Sequence, residues 1–173
     1  MFCMKELPTR EDFRPLEVYP SLEPSSMLLF YQFLRSGSDL LTVFNDYLIS
    51  HGISQGRFVV LLILRRRVAG FAPSDLAESA GVTRATMTGL MDGLERDGFV
   101  KRYHLDEDKR RTNVKITKKG EDLLESIFPD YFLSIANLMS DVTDEERDVI
   151  LNFLSKLDMG ISNWKLKGNK NVA

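Results

Sequence analysis

Between Ser74 and Glu95 the chain reads S-D-L-A-E-S-A-G-V-T-R-A-T-M-T-G-L-M-D-G-L-E, and no other stretch restricts its folding as strongly. Pro73 suits the first turn of a short helix, and Ser74 and Asp75 suit that helix's positive end. Gly81 stops it and stands in a turn where positive φ is needed. Thr83 is a good N-cap for a second helix, Arg84 to Asp97, which Gly98 ends. Ala77 is small where two crossing helices must touch, and Val82, Met87, Leu90, Met91 and Leu94 supply one buried side. These size constraints coincide, and together they predict two short helices joined by a tight turn.

Phe99 to His104 and Thr112 to Ile116 follow as strands, rich in β-branched and aromatic residues, with apolar alternation at Val114 and Ile116. The loop between them carries D-E-D-K-R-R, Asp106 to Arg111. Helix, turn, helix and hairpin is the order of a winged helix-turn-helix. Longer helices flank it. One runs from Met27 to about Ile49, capped by Ser25 and Ser26, and another from Gln55 to about Val68, started by Ser54 and ending on Arg65-Arg66-Arg67. Thr117 caps a third, to about Met139, with Pro129 expected to kink it. Thr143 and Glu146 form a capping box for the last. The expected fold is mainly α with a small β-hairpin wing (α+β).

The outward side of the second short helix is the informative one. Opposite Met87, Leu90, Met91 and Leu94, at about 100° per residue, lie Ala85, Gly89, Asp92 and Arg96, flanked by Thr88. A helix entering a major groove needs a small surface for close approach and polar side chains in its first turns. Thr83, Arg84, Thr86 and Thr88 meet that need: Arg can take the guanine acceptors bidentately, and Thr can donate to an acceptor or touch a thymine methyl. A solvated helix start would look similar in isolation. Arg96, further along, suits a phosphate contact or a salt bridge.

Charge placement agrees with an oriented polyanion site. From Arg84 to Lys119 ten bases face six acids, a net charge of +4 on a chain whose total is -2, so the remainder carries -6. The single cysteine, Cys3, excludes an internal disulfide, and His51 and His104 have no metal-ligand spacing, so no cofactor or metal is expected. No apolar run approaches the roughly 18 residues of a membrane span; the longest, V-V-L-L-I-L from Val59 to Leu64, reads as a core element. The first residues lack the apolar stretch of a signal peptide, and the protein is expected in the cytoplasm, without a membrane partner. No Ser-His-Asp order and no Gly-rich phosphate loop points to an enzyme.

The runs V-T-R-A-T-M-T-G-L-M-D-G-L-E-R-D-G-F-V-K-R and D-E-D-K-R-R-T-N-V-K-I-T-K-K-G resemble the MarR family of bacterial winged-helix regulators. The wing pattern of that family matches at Asp108, Arg110, Val114, Ile116 and Thr117. The resemblance is densest from Leu76 to Leu124. It implies a transcriptional regulator, with a repressor as the expected sign, binding a pseudo-palindromic double-stranded DNA operator as a homodimer. The recognition helix would enter the major groove and the wing the flanking minor groove. Arg110 maps onto the wing arginine and Asp108 onto the acid that orients it, since a carboxylate can hold the guanidinium fork ready. Lys109 and Arg111 would lie along the phosphates. One departure stands out: the family often carries a base where this chain has Gly93, and glycine inside a helix costs about 1 kcal/mol relative to alanine.

On this reading residues 1–24, with four of the six prolines, form an extended arm bearing Phe13 and Tyr19. Residues 25–50 and 117–165 form a helical dimerisation region, 53–116 the DNA-binding winged helix, and 166–173 a flexible tail. Phe153, Leu154, Leu157, Ile161 and Trp164 are interface candidates together with the helix starting at Met27; packing within one subunit is the rival use of the same residues. The resemblance also implies control by a small aromatic or anionic ligand, with Phe30, Phe33, Phe44, His51, Arg57 and Phe58 as lining candidates, though core packing suits them as well. A winged-helix module that binds protein without specific DNA contacts is the alternative function, suggested by Asp92, Glu95 and Asp97.

Overall fold

The computed structural model describes residue 9, residues 11–12, 23–104 and 112–170, the side chains of 104 and 165–170 excepted. The arm residues Cys3, Phe13 and Tyr19 and the wing-tip residues Asp108, Lys109, Arg110 and Arg111 lie outside the described residues. The described chain holds α1 (Pro24–Ser50), α2 (Gln55–Arg65), α3 (Pro73–Ser79), α4 (Arg84–Arg96), β1 (Val100–His104), β2 (Thr112–Ile116), α5 (Lys118–Leu138) and α6 (Asp144–Lys170). It divides into two compact units, residues 1–126 and 127–173. No single described helix is long and apolar enough to cross a membrane.

In the first unit a core is drawn from every element. Leu48 comes from α1, Phe58, Leu61 and Leu64 from α2, Leu76 and Ala77 from α3, Met87, Met91 and Leu94 from α4, Val100 and Val114 from the strands and Leu124 from the start of α5, all buried. The hairpin is antiparallel, pairing Val100 with Ile116, Arg102 with Val114 and His104 with Thr112. Alternation along a strand therefore puts Val100, Arg102 and Val114 on one face. Phe71 adds an isolated bridge to Val114, with both backbone hydrogen bonds at 2.9 Å. Sequence patterning misses this third edge because a one-residue bridge has no periodicity. Gly70, at φ 71°, makes the approach possible: a side-chain carbon there would lie 3.0 Å from the Tyr103 hydroxyl, which donates to the Ala69 carbonyl.

Two helix ends differ from expectation. α1 begins at Pro24, with Glu23 as its N-cap, so Ser25 and Ser26 lie within the first turn instead of capping it. Proline's fixed φ and missing N–H suit that position, and the Ser25 hydroxyl donates to Glu23 at 2.6 Å. α2 stops at Arg65, short of Val68. Val68 is 96% exposed, so no apolar contact extends the helix there, and the Gly70 N–H closes a turn onto the Arg67 carbonyl at 2.8 Å.

The second unit holds the rest of α5, which runs through Pro129, and α6. The capping box forms as expected: the Thr143 N–H donates to Glu146 at 2.9 Å and the Glu146 N–H to the Thr143 hydroxyl at 3.2 Å. Helical backbone continues to Lys170, past the expected start of a tail at 166. Large apolar side chains stay exposed along both helices, among them Phe132, Leu138, Ile150, Leu151, Ile161 and Trp164.

Candidate nucleic-acid interface

The site is built on α4. Its first turn is fixed by Thr83, the N-cap, whose hydroxyl accepts from the Thr86 N–H at 3.2 Å and shares a 2.9 Å hydrogen bond with the Thr86 hydroxyl. The Thr88 hydroxyl donates to the Arg84 carbonyl at 2.9 Å, which uses its one donor and leaves it acceptor capacity. Thr83, Arg84, Ala85, Thr86, Thr88 and Gly89 are all exposed, while Met87, Met91 and Leu94 are buried beneath them. A carbon added at Gly89 would meet nothing within 4 Å. The outer side of the helix is thus small, open and edged with hydroxyls, as the sequence predicts. The Arg84 side chain forms no ion pair among the described residues.

The acids of α4 are turned to a different use. Arg102, on the inward face of β1, reaches both Asp92 (Nη2 to Oδ1, 2.5 Å) and Glu95 (Nη1 to Oε2, 2.9 Å). The Arg102 backbone N–H also donates to Glu95 at 3.2 Å. Asp97, the C-cap of α4, accepts from Arg57 Nη1 of α2 at 2.7 Å. Lys119, in the first turn of α5, donates to the Asp97 carbonyl at 2.8 Å. The three carboxylates that could have repelled a phosphate backbone are therefore each held by an arginine from a neighbouring element. Arg96 lies 3.7 Å from Asp97 and is 75% exposed, so its contact is loose and its charge remains on the surface.

At the wing's base Thr117 ties the hairpin to α5. Its hydroxyl donates to the Gly98 carbonyl at 2.7 Å and accepts from the Gly120 N–H at 3.2 Å. Lys101 and Lys115 are cross-strand partners. The Lys115 ammonium lies 4.7 Å from the Tyr103 ring centre, which offsets part of the repulsion between them. The hairpin thus presents cations on the face opposite Arg102.

Sequence reasoning missed the part played by Arg102, Asp97 and Lys119. A signal existed for the first: Asp92 and Glu95 are three residues apart and share a helix face, and Arg102 stands at an inward position of the strand alternation. The ligand candidates are only partly brought together. Phe44 and Phe58 meet edge to face at 5.9 Å, with Phe58 buried. Phe30 and Phe33 are exposed along α1. His51 ends α1, its Nδ1 2.9 Å from the Tyr47 carbonyl. Arg57 is bound to Asp97.

Comparison with known proteins agrees with this geometry. The MarR family model matches residues 53–112. The HTH-type transcriptional repressor YetL of Bacillus subtilis (strain 168) is 35% identical over 150 residues, 86% of this chain and 90% of YetL. Among solved structures, the S. aureus MepR–DNA complex aligns with a TM-score of 0.66 at 23% identity, covering 76% of this chain and 94% of MepR. CouR from Rhodococcus jostii RHA1, bound to p-coumaroyl-CoA, aligns with a TM-score of 0.63 at 20% identity, covering 75% of this chain and 90% of CouR. A winged helix-turn-helix with an open recognition helix, and this degree of identity to a repressor, place the chain in the MarR family of DNA-binding transcriptional regulators, which are not enzymes.

Proposed function

We propose that the chain acts as a homodimeric repressor on a pseudo-palindromic operator, α4 lying in the major groove and the wing in the flanking minor groove. The observation that carries this is the division of α4 into an exposed side of small and hydroxyl residues with Arg84, and acids that are drawn away into ion pairs. Arg84, Thr86 and Thr88 then reach base edges, Thr83 sets the helix start, and Arg96 lies along the phosphates. Asp108 would orient Arg110 into the minor groove, with Lys109 and Arg111 on the adjacent backbone. Two half-sites require two recognition helices at fixed spacing, and the exposed apolar residues of α1, of α5 and of α6 supply surface for a second copy. The tied acids weigh against the protein-interaction alternative, which would present them.

A small aromatic or anionic ligand is proposed to release the operator, through Phe30, Phe33, Phe44, His51 and Phe58, while Arg57 would have to leave Asp97 to meet it. A ligand that binds the free protein more tightly than the DNA complex must weaken DNA binding by the same factor, so titrating candidate carboxylates into a preformed complex tests this part. Selection of bound sequences from random DNA tests the whole. The expected result is an inverted repeat whose half-sites lie about one helical turn apart, lost on Arg84→Ala. Recovery of sequences with no common motif would refute it.

A further inference from the structure

Gly93 and Arg57 explain each other. Gly93 is buried in the interior of α4 although glycine is the poorest helix former after proline. A side-chain carbon at residue 93 would fall 2.8 Å from Cζ and 3.0 Å from Nε of Arg57. The guanidinium therefore lies against the bare backbone of α4, in the space that any larger residue would fill. The partner helix makes the reciprocal concession: a carbon at Gly56 of α2 would lie 3.2 Å from Leu90 Cδ2. Each helix thus has a glycine where the other lays a side chain.

The far end of this contact is the C-terminus of the recognition helix. A carboxylate there faces the negative end of the helix dipole and is unfavourable alone. Asp97 is nonetheless the C-cap, and Arg57 Nη1 donates to it at 2.7 Å, while Lys119 donates to its carbonyl at 2.8 Å. The Arg57 side chain is only 23% exposed. A mainly buried guanidinium committed to a carboxylate and a backbone is suited to holding a helix in place.

The geometry points to Arg57 as a positioning residue of the recognition helix. With Asp97 and Gly93 it fixes how α4 is seated on α2, and so where Arg84, Thr86 and Thr88 meet the bases. This inference rests on the DNA-binding reading above.

The test uses the protein, a duplex carrying the inverted repeat selected from random DNA, and random DNA of equal length, measured over a range of salt. Asp97→Asn keeps the size of the side chain and an acceptor oxygen but removes the charge. Gly93→Ala displaces the guanidinium while leaving both charges and improving helix propensity. Each is expected to lower the ratio of selected-site to random binding about tenfold, the scale of one lost base contact. The slope of affinity against salt should not change, because no phosphate contact is lost. A slope shallower by about one, with equal weakening on both DNAs, would make Arg57 a phosphate contact and overturn the inference. A lower melting temperature with an unchanged ratio would reduce the contact to a structural one and overturn it too. Wild-type protein that selects no common motif from random DNA overturns the DNA-binding reading itself, which the variants alone cannot do.

Discussion

Replacing Arg102 with methionine separates what the ion pairs of α4 do for stability from what they do for DNA binding. Methionine keeps an unbranched apolar stem beside the recognition helix but removes the guanidinium that holds Asp92 and Glu95 at 2.5 and 2.9 Å, leaving Glu95 only the backbone N–H of residue 102. These carboxylates are 57% and 38% exposed, so the stability they lend is that of surface pairs, about 0.2–1 kcal/mol each. The cost for DNA binding has a separate origin. An uncompensated carboxylate about 8 Å from a phosphate is repelled by roughly 0.5–2 kcal/mol before screening, depending on the effective dielectric, and salt at physiological strength removes more than half of this. The two carboxylates together then cost about 1 kcal/mol, roughly a fivefold loss of affinity. Arg102→Met should therefore weaken binding to selected and random DNA alike, and the difference from wild type should shrink as salt is raised. Adding Asp92→Asn and Glu95→Gln to the same chain should restore most of the affinity without restoring the pairs. Fluorescence anisotropy on labelled duplexes at three salt concentrations measures all of this. A loss that persists after both acids are neutralised, or that grows with salt, would mean that Arg102 touches DNA itself and that shielding is the wrong account.

Other residues make sharper or simpler cases. Thr83→Ala removes the acceptor for the Thr86 N–H, and chemical denaturation should show a loss of about 1 kcal/mol. Leu94→Ala empties a fully buried site beneath the recognition helix and should cost 2–5 kcal/mol by the same measurement. Asp108→Ala removes a negative charge from the wing yet is expected to weaken operator binding if Asp108 orients Arg110 as proposed; tighter binding in a gel-shift titration would refute that role. Ile161→Glu, at an exposed apolar position of α6, should shift the protein toward monomer in sedimentation velocity without changing its helix content.

The helix-turn-helix was legible because its signals are local. Thr83 caps, Gly81 turns at φ 64°, and Met87, Met91 and Leu94 repeat on one side, all within a span where chain neighbours decide the geometry. The exposed side of α4 followed by subtraction. The ion pairs could not be read in the same way. Arg57 and Asp97 are forty residues apart, and their meeting depends on α2 and α4 approaching through Gly56 and Gly93. Periodicity assigns each residue to a side of its own helix but does not state which side of which helix lies opposite. The Phe71 bridge was lost for a related reason: pairing with Val114 is a property of two distant backbones, not of either segment.

Gly93 shows how a local rule reads only part of a position. Taken alone, Gly93 is a weak point in the helix. Beside Arg57 it is the space that the guanidinium occupies on its way to Asp97. The acids need the same second reading. Counted along the sequence, Asp92, Glu95 and Asp97 lower the charge of the segment that should meet DNA. In the fold Arg102 and Arg57 pair with them from neighbouring elements, while Arg84 and Arg96 remain exposed. The field that a duplex meets therefore depends less on how many charges the segment holds than on which of them already have partners. In this chain the acids spaced three apart on α4 are met by an arginine of the following strand, so they mark a helix that is held and not one that avoids nucleic acid.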